Sequence, residues 1–121
     1  MGRLLRCEPV TLLSRKLTHC ESLHFVEEDL IAPERPDFKA AFHVVRAANV
    51  LNRAYFSDEA LVQIIKKLSQ RLKPNCMLIV CRTDKAGVNH ATIFESTPEA
   101  TLCVIFRLGD GSEIEQLVSE M

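Results

Sequence analysis

Between Phe42 and Arg82 the sequence holds two apolar runs separated by one amphipathic stretch, and no other feature constrains the fold as strongly. The first run lies in Ala40 to Leu51 (AAFHVVRAANVL), where Phe42, Val44 and Val45 suit a buried strand and Asn49 and Asn52 suit a turn. The second, Met77 to Cys81 (MLIVC), is continuously apolar, as expected of an interior strand covered on both faces. Between them Leu61, Ile64, Ile65, Leu68 and Leu72 mark one face of a helix. Ser57 is placed to cap its first turn, and Asp58 and Glu59 sit where the helix end is positive. Lys66, Lys67, Arg71 and Lys73 lie toward the negative end and read as a solvated basic face, with Pro74 as the stop. Strand, helix, strand in that order predicts two parallel strands joined by a right-handed crossover.

The flanks are read less directly. Arg3 to Cys7 is a short strand candidate ended by Glu8-Pro9, and Thr11 to Leu17 has a weak helical spacing. Leu23 to Val26 is another short strand candidate, and Pro33 and Pro36 exclude a regular element from Ile31 to Asp37. Ala91 to Phe94 and Leu102 to Phe106 read as a strand pair joined by Ser96-Thr97-Pro98-Glu99, hence antiparallel. After Gly109-Asp110-Gly111, Ser112 and Glu115 form a capping-box pattern, and the tail reads equally as a short helix or a last strand. The expected fold is α/β, a mostly parallel sheet ending in an antiparallel pair, with residues 1–121 as a single domain.

Composition removes several classes of function. With 121 residues there is room for one core, and 47% hydrophobic with 26% charged residues is the balance of a soluble globular chain. A net charge of −1, with both signs interspersed, leaves no footprint for nucleic acid or an anionic membrane. No apolar run approaches the roughly 18 residues of a membrane span. Glu8 and Pro9 interrupt the amino-terminal MGRLLR stretch before a signal-peptide core forms, so a cytoplasmic location is expected. Cys7, Cys20, Cys76, Cys81 and Cys103 are odd in number and scattered, which points to buried thiols rather than a disulfide framework. Neither Cys20 with His19 and His24, nor Cys76 with Cys81, has metal-ligand spacing, so no metal is expected.

Two stretches carry a resemblance to a known family. FHVVRAANVLNRAYF (Phe42–Phe56) is similar to the fourth strand and following loop of the class I S-adenosylmethionine-dependent methyltransferases. LKPNCMLIVCR (Leu72–Arg82) resembles that family's Leu-Lys-Pro-Gly-Gly turn entering the fifth strand. One amphipathic helix fills the 21 residues from Asn52 to Leu72, in keeping with the family's layout. Upstream, HFVEEDL (His24–Leu30) is similar to the third-strand motif, and LLRCEP resembles the end of the second strand.

The resemblance implies a partial Rossmann-like fold, with the terminal pair as sixth and seventh strands, and S-adenosylmethionine as a small-molecule methyl donor. It implies Glu8 on the ribose hydroxyls, because a carboxylate offers two acceptor atoms to a vicinal diol. Asp29, with Leu30 beside it, takes the adenine position. Arg46, Ala47 and Asn49 fall at the carboxyl end of the fourth strand, the edge where ligand clefts open in α/β sheets.

The sequence departs from that pattern in three places. The family's first strand and glycine-rich loop would precede Leu4, which makes this a truncated domain by expectation. Gly2, Gly87, Gly109 and Gly111 do not read as a loop that follows a strand and opens a helix. Asn75-Cys76 replaces the Gly-Gly turn, a mild change because Asn tolerates the left-handed conformation, and His43 replaces a common Asp. Two functions are therefore expected: methyl transfer to an unknown acceptor, or a degenerate, non-catalytic interaction module. A sheet missing its first strand exposes unpaired backbone at mid-sheet positions, which predicts a homodimer or a complementing chain. Methyl transfer rests on proximity and in-line orientation, so no catalytic residue is assigned.

Overall fold

Ser57 accepts a hydrogen bond from the Ala60 N–H at 3.2 Å and starts helix α1 (Asp58–Arg71), as its position before the apolar periodicity predicts. The computed structural model describes Lys16 and residues 19–121. Glu8, the Arg3 to Cys7 strand and most of the Thr11 to Leu17 segment lie outside the described residues. Leu61, Ile64 and Ile65 are fully buried and Leu68 nearly so, which confirms the apolar face. Strands β1 (Phe42–Ala48) and β2 (Leu72–Thr83) flank the helix in the chain and pair in parallel, from Val44 with Met77 to Ala48 with Cys81. The crossover inferred from the sequence is present.

Helix α1 ends three residues before Pro74, and β2 begins directly at Leu72. Phe42 pairs with Leu72 but Val44 with Met77, so Lys73 to Cys76 bulges out of the ladder. Asn75 takes φ 60° within that bulge, the conformation its side chain tolerates.

Strands β3 (Asn89–Ser96) and β4 (Leu102–Leu108) complete an open sheet in the order β1-β2-β3-β4. Pairings β2–β3 and β3–β4 are both antiparallel, so the described sheet is mixed rather than mostly parallel. The loops at residues 84–88 and 97–101 are far shorter than the dozen or so residues a parallel return needs. Leu23 to Val26, read above as a strand, forms none, and Leu23, Phe25 and Val26 are exposed. A short apolar stretch holds strand geometry only beside backbone to pair with, and no described strand lies beside it. Pro36–Phe38 is a single 3-10 turn, where a proline's fixed φ suits the first position.

The tail resolves as a short helix, α2 (Glu115–Ser119), without the expected capping box. Ser112 Oγ accepts from the Ile114 N–H at 3.2 Å, and the Glu115 carboxylate turns to Arg107 and Thr92 instead. Helices α1 and α2 bury one face of the sheet, with Leu78 and Phe94 at 0% exposure and Val80 at 2%. No described element covers the other face. Phe42 and Val44 are exposed there, and Met77, Ile79 and Cys81 are half-buried, so neither run is buried on both sides.

The basic residues of α1 do not form one solvated face. Lys67 and Arg71 are each only 8% exposed. Lys67 Nζ donates to the carbonyls of Asp29, Leu30 and Ala32 at 3.2, 3.3 and 2.9 Å. Arg71 pairs with Glu28 and Glu34 and lies 4.9 Å from the Phe38 ring centre. Six hydrogen bonds to the upstream segment offset the hydration these two side chains lose, and they pin residues 28–34 against the helix. Cys20, Cys76 and Cys81 are half-buried and Cys103 is exposed, all as free thiols, so none of the described cysteines is a core residue. No described helix is long and apolar enough to cross a membrane.

Candidate functional site

The parallel strands β1 and β2 both end at the same edge, and Asn49 ties them together there. Its N–H donates to the Cys81 carbonyl at 2.9 Å, and its Oδ1 accepts from the Thr83 N–H at 2.9 Å. A φ of 56° makes both bonds simultaneous, because it turns the chain sharply off the strand. Asn tolerates that conformation better than most residues.

The loop that follows is organised by Asn52. Its Oδ1 accepts from the Tyr55 N–H at 3.0 Å and its carbonyl from the Phe56 N–H at 3.1 Å. The Tyr55 ring is left 71% exposed. Glu113, in the segment before α2, accepts from the Arg53 N–H at 2.7 Å and brings a carboxylate to the same place. Arg53 donates from Nε to Asp58 at 2.9 Å, and that hydrogen bond holds the guanidinium above its ordinary pKa. Arg82 Nε donates to the Gly111 carbonyl at 2.9 Å. Asn49, Asn52, Tyr55, Cys81, Thr83 and Glu113 line the resulting cleft of about 320 Å³.

A cavity of about 370 Å³ lies at the far end of α1, lined by Lys66, Ser69, Gln70, Thr101, Leu102 and Ser119 among others. That cavity is larger than the carboxyl-edge cleft, and an open depression of about 520 Å³ beside Arg107 and Glu115 is larger than both, but the carboxyl-edge cleft gathers two carboxamides, a phenol, a hydroxyl, the Arg82 guanidinium and a carboxylate. Convergent polar groups at a strand-end edge are the better mark of a site.

Of the described cofactor-site candidates Asp29, Leu30, Arg46, Ala47 and Asn49, only Asn49 lines this cleft. Val45 and Ala47 pack against the core beneath α1, so Arg46, between them in the pleat, lies on the opposite sheet face. Asp29 and Leu30 sit against Lys67, nine residues into α1, or about 14 Å along its axis from the helix start at 1.5 Å per residue. Asp29 Oδ1 accepts from the Ile31 N–H at 2.9 Å, a turn role. These residues are not gathered around one cleft in the described chain.

Gly109 and Gly111 do stand between a strand and a helix, contrary to the sequence reading. The turn is closed, however, and forms no anion cradle. The Asp110 N–H donates to His90 Nδ1 at 2.9 Å, Gly111 N–H to the Leu108 carbonyl at 3.1 Å, and Ser112 N–H to Thr92 Oγ1 at 2.7 Å. With Nδ1 accepting, His90 carries its proton on Nε2 and donates to Asp84 Oδ2 at 2.8 Å. That bond, and two from the Ala86 and Val88 N–H groups, hold the Asp84 carboxyl below its ordinary pKa.

Sequence reasoning missed Tyr55 and Glu113. Tyr55 followed the turn residue Asn52 and was part of the quoted Phe42–Phe56 stretch, so spacing alone pointed to it. Glu113 lies 60 residues from Arg53, and nothing local marks that contact. The sequence matches no protein-family model, and no curated protein matches it significantly. Fold and cleft together define a small α/β domain with a four-stranded mixed sheet and a polar cleft at the carboxyl edge of its parallel pair.

Proposed function

We propose that the chain carries the donor-side cleft of an S-adenosylmethionine-dependent methyltransferase, and that the carboxyl edge of β1 and β2 is where methyl transfer takes place. The observation that carries this reading is the parallel β1–α1–β2 crossover whose two strand ends open into the cleft at Asn49. The same residues, 42–56 and 72–82, bear the family resemblance. S-adenosylmethionine, when bound, supplies a methyl group on a positively charged sulfur. The cleft carries both signs, the Glu113 carboxylate for a positively charged group and the Arg82 guanidinium for a negatively charged one, and the Asn49 and Asn52 carboxamides supply polar atoms that orient a ligand.

The lining fits one part of such a donor. Carboxylate, phenol and carboxamides suit its positively charged sulfur and amino group, and Arg82 its carboxylate; with Glu113 so used, the described lining holds no second carboxylate for the nucleoside diol. Glu8 stays the candidate for the diol by resemblance. A volume of about 320 Å³ is at the small end for ligand sites, in keeping with a partial site.

Calorimetric titration with S-adenosylhomocysteine tests the donor site. Measurable binding, together with S-adenosylmethionine binding that weakens about tenfold in Glu113→Gln while S-adenosylhomocysteine, whose sulfur is uncharged, is affected less, supports the reading, since a charge-assisted contact contributes roughly 1.5 kcal/mol. Absence of heat at millimolar ligand overturns it. A second reading, a methyltransferase-like interaction module that binds no donor, is favoured by the closed Gly109–Gly111 turn and by the remoteness of Asp29 from the cleft.

A further inference from the structure

Across its middle rows the face of the sheet turned away from α1 and α2 is apolar except at two positions, and at its end it carries Thr83 and Asn89, hydrogen-bonded to each other at 2.8 Å. One register row runs Arg46, Ile79, Ile93, Phe106 across the four strands, and the next holds Val44, Met77, Glu95 and Cys103. Val44 is 48% and Phe106 56% exposed. Arg46 and Glu95 are the charged residues of these rows, and neither makes an ion pair among the described residues. We propose that this face binds a second copy of the chain, Arg46 of each copy pairing with Glu95 of the other.

The placement of the two charges selects this partner. Glu95 lies two strands and two residues from Arg46, about 12 Å away and too far for a pair within the chain. The midpoint falls on β2 between Met77 and Ile79. A two-fold axis in the plane of contact, passing through that midpoint at right angles to the line joining the charges, brings each onto its opposite. Both pairs form at once, as an isologous contact requires. Strands of the two sheets then cross at about 70°, within reach of orthogonal sheet packing, and the apolar side chains of the two β2 strands meet at the axis.

Area sets the strength. Four strands about 4.8 Å apart, over seven residues of about 3.3 Å, give a flat footprint on the order of 400 Å² per copy. A pair buries on the order of 800 Å² plus pleat and rim, below the size of an obligate interface. An interface of that size is weak and transient, and the dimer is expected to dissociate on dilution.

Sedimentation velocity over two decades of concentration reads it out. Wild type is expected to pass from monomer to dimer. Arg46→Glu and Glu95→Arg are each expected to weaken the dimer at least tenfold, because like charges then face each other twice. An equimolar mixture of the two variants is expected to dimerise as wild type does, since every pair in the mixed dimer is again opposite in sign. A wild type that stays monomeric throughout overturns the proposal, as it would if residues of its own chain occupied this face. Single variants that dimerise unchanged, or a mixture that fails to recover, overturn it too. The wild-type series stands even if a variant does not fold.

Discussion

Arg71 and Glu34, 37 residues apart in the chain, are joined by a forked ion pair. Nε donates to Oε2 and Nη2 to Oε1, each at 2.8 Å. The same guanidinium also reaches Glu28 and stacks near Phe38. Arg71→Met leaves two part-buried carboxylates without their hydrogen-bonded cation, Lys67 acting on Glu34 only from a distance, and an expected loss of about 2–4 kcal/mol follows. Arg71→Lys should recover little, because an ammonium cannot make the fork. Urea unfolding of the three proteins checks both statements.

Acid should loosen the same contacts. Hydrogen bonding from Arg71 holds the Glu34 carboxyl below its ordinary value of 4.5, and Arg107, helped by Thr92, does the same for Glu115. A lowered folded pKa means that the unfolded chain binds more protons in acid. The stability these groups confer is complete above the ordinary carboxylate pKa and is lost as pH falls through the folded values. Urea midpoints measured from about pH 6 down to about pH 3 should fall, and Glu34→Gln with Glu115→Gln should flatten the slope. An unchanged slope would refute the assignment.

At Gly109, with φ 60°, an added Cβ would lie 2.4 Å from His90 Nδ1. Left-handed strain and the collision act together, so Gly109→Ala is expected to lose about 2–3 kcal/mol. Combining it with His90→Ala removes the colliding ring but also the Asp110 and Asp84 hydrogen bonds. The double variant should therefore lose less than the sum of the singles, and a thermodynamic cycle measures the difference.

Two substitutions separate the core from the helix start. Phe94 is fully buried between the sheet and the helices, and Phe94→Ala is expected to lose about 3–5 kcal/mol. Ser57→Ala removes one cap hydrogen bond and should lose about 1 kcal/mol. Equal losses from the two would mean that Phe94 is not part of the packed interior.

What the chain determines by itself is the part whose signal is local. Ser57, the spacing of Leu61 to Leu68 and the continuous Met77 to Cys81 run define β1–α1–β2, because capping, helical period and apolar run length act over a few residues. Asn49 was readable for the same reason, as a residue that tolerates the left-handed turn closing a strand. The role of Lys67 and Arg71 was not readable. A basic pair four residues apart on a helix looks the same whether it faces water or a segment more than thirty residues upstream. Leu23 to Val26 has strand-like composition, but composition supplies no neighbour to pair with. Only tertiary structure placed Glu113 beside Asn52 and left Phe106 uncovered, since both depend on which surfaces the packed elements bring together or leave apart.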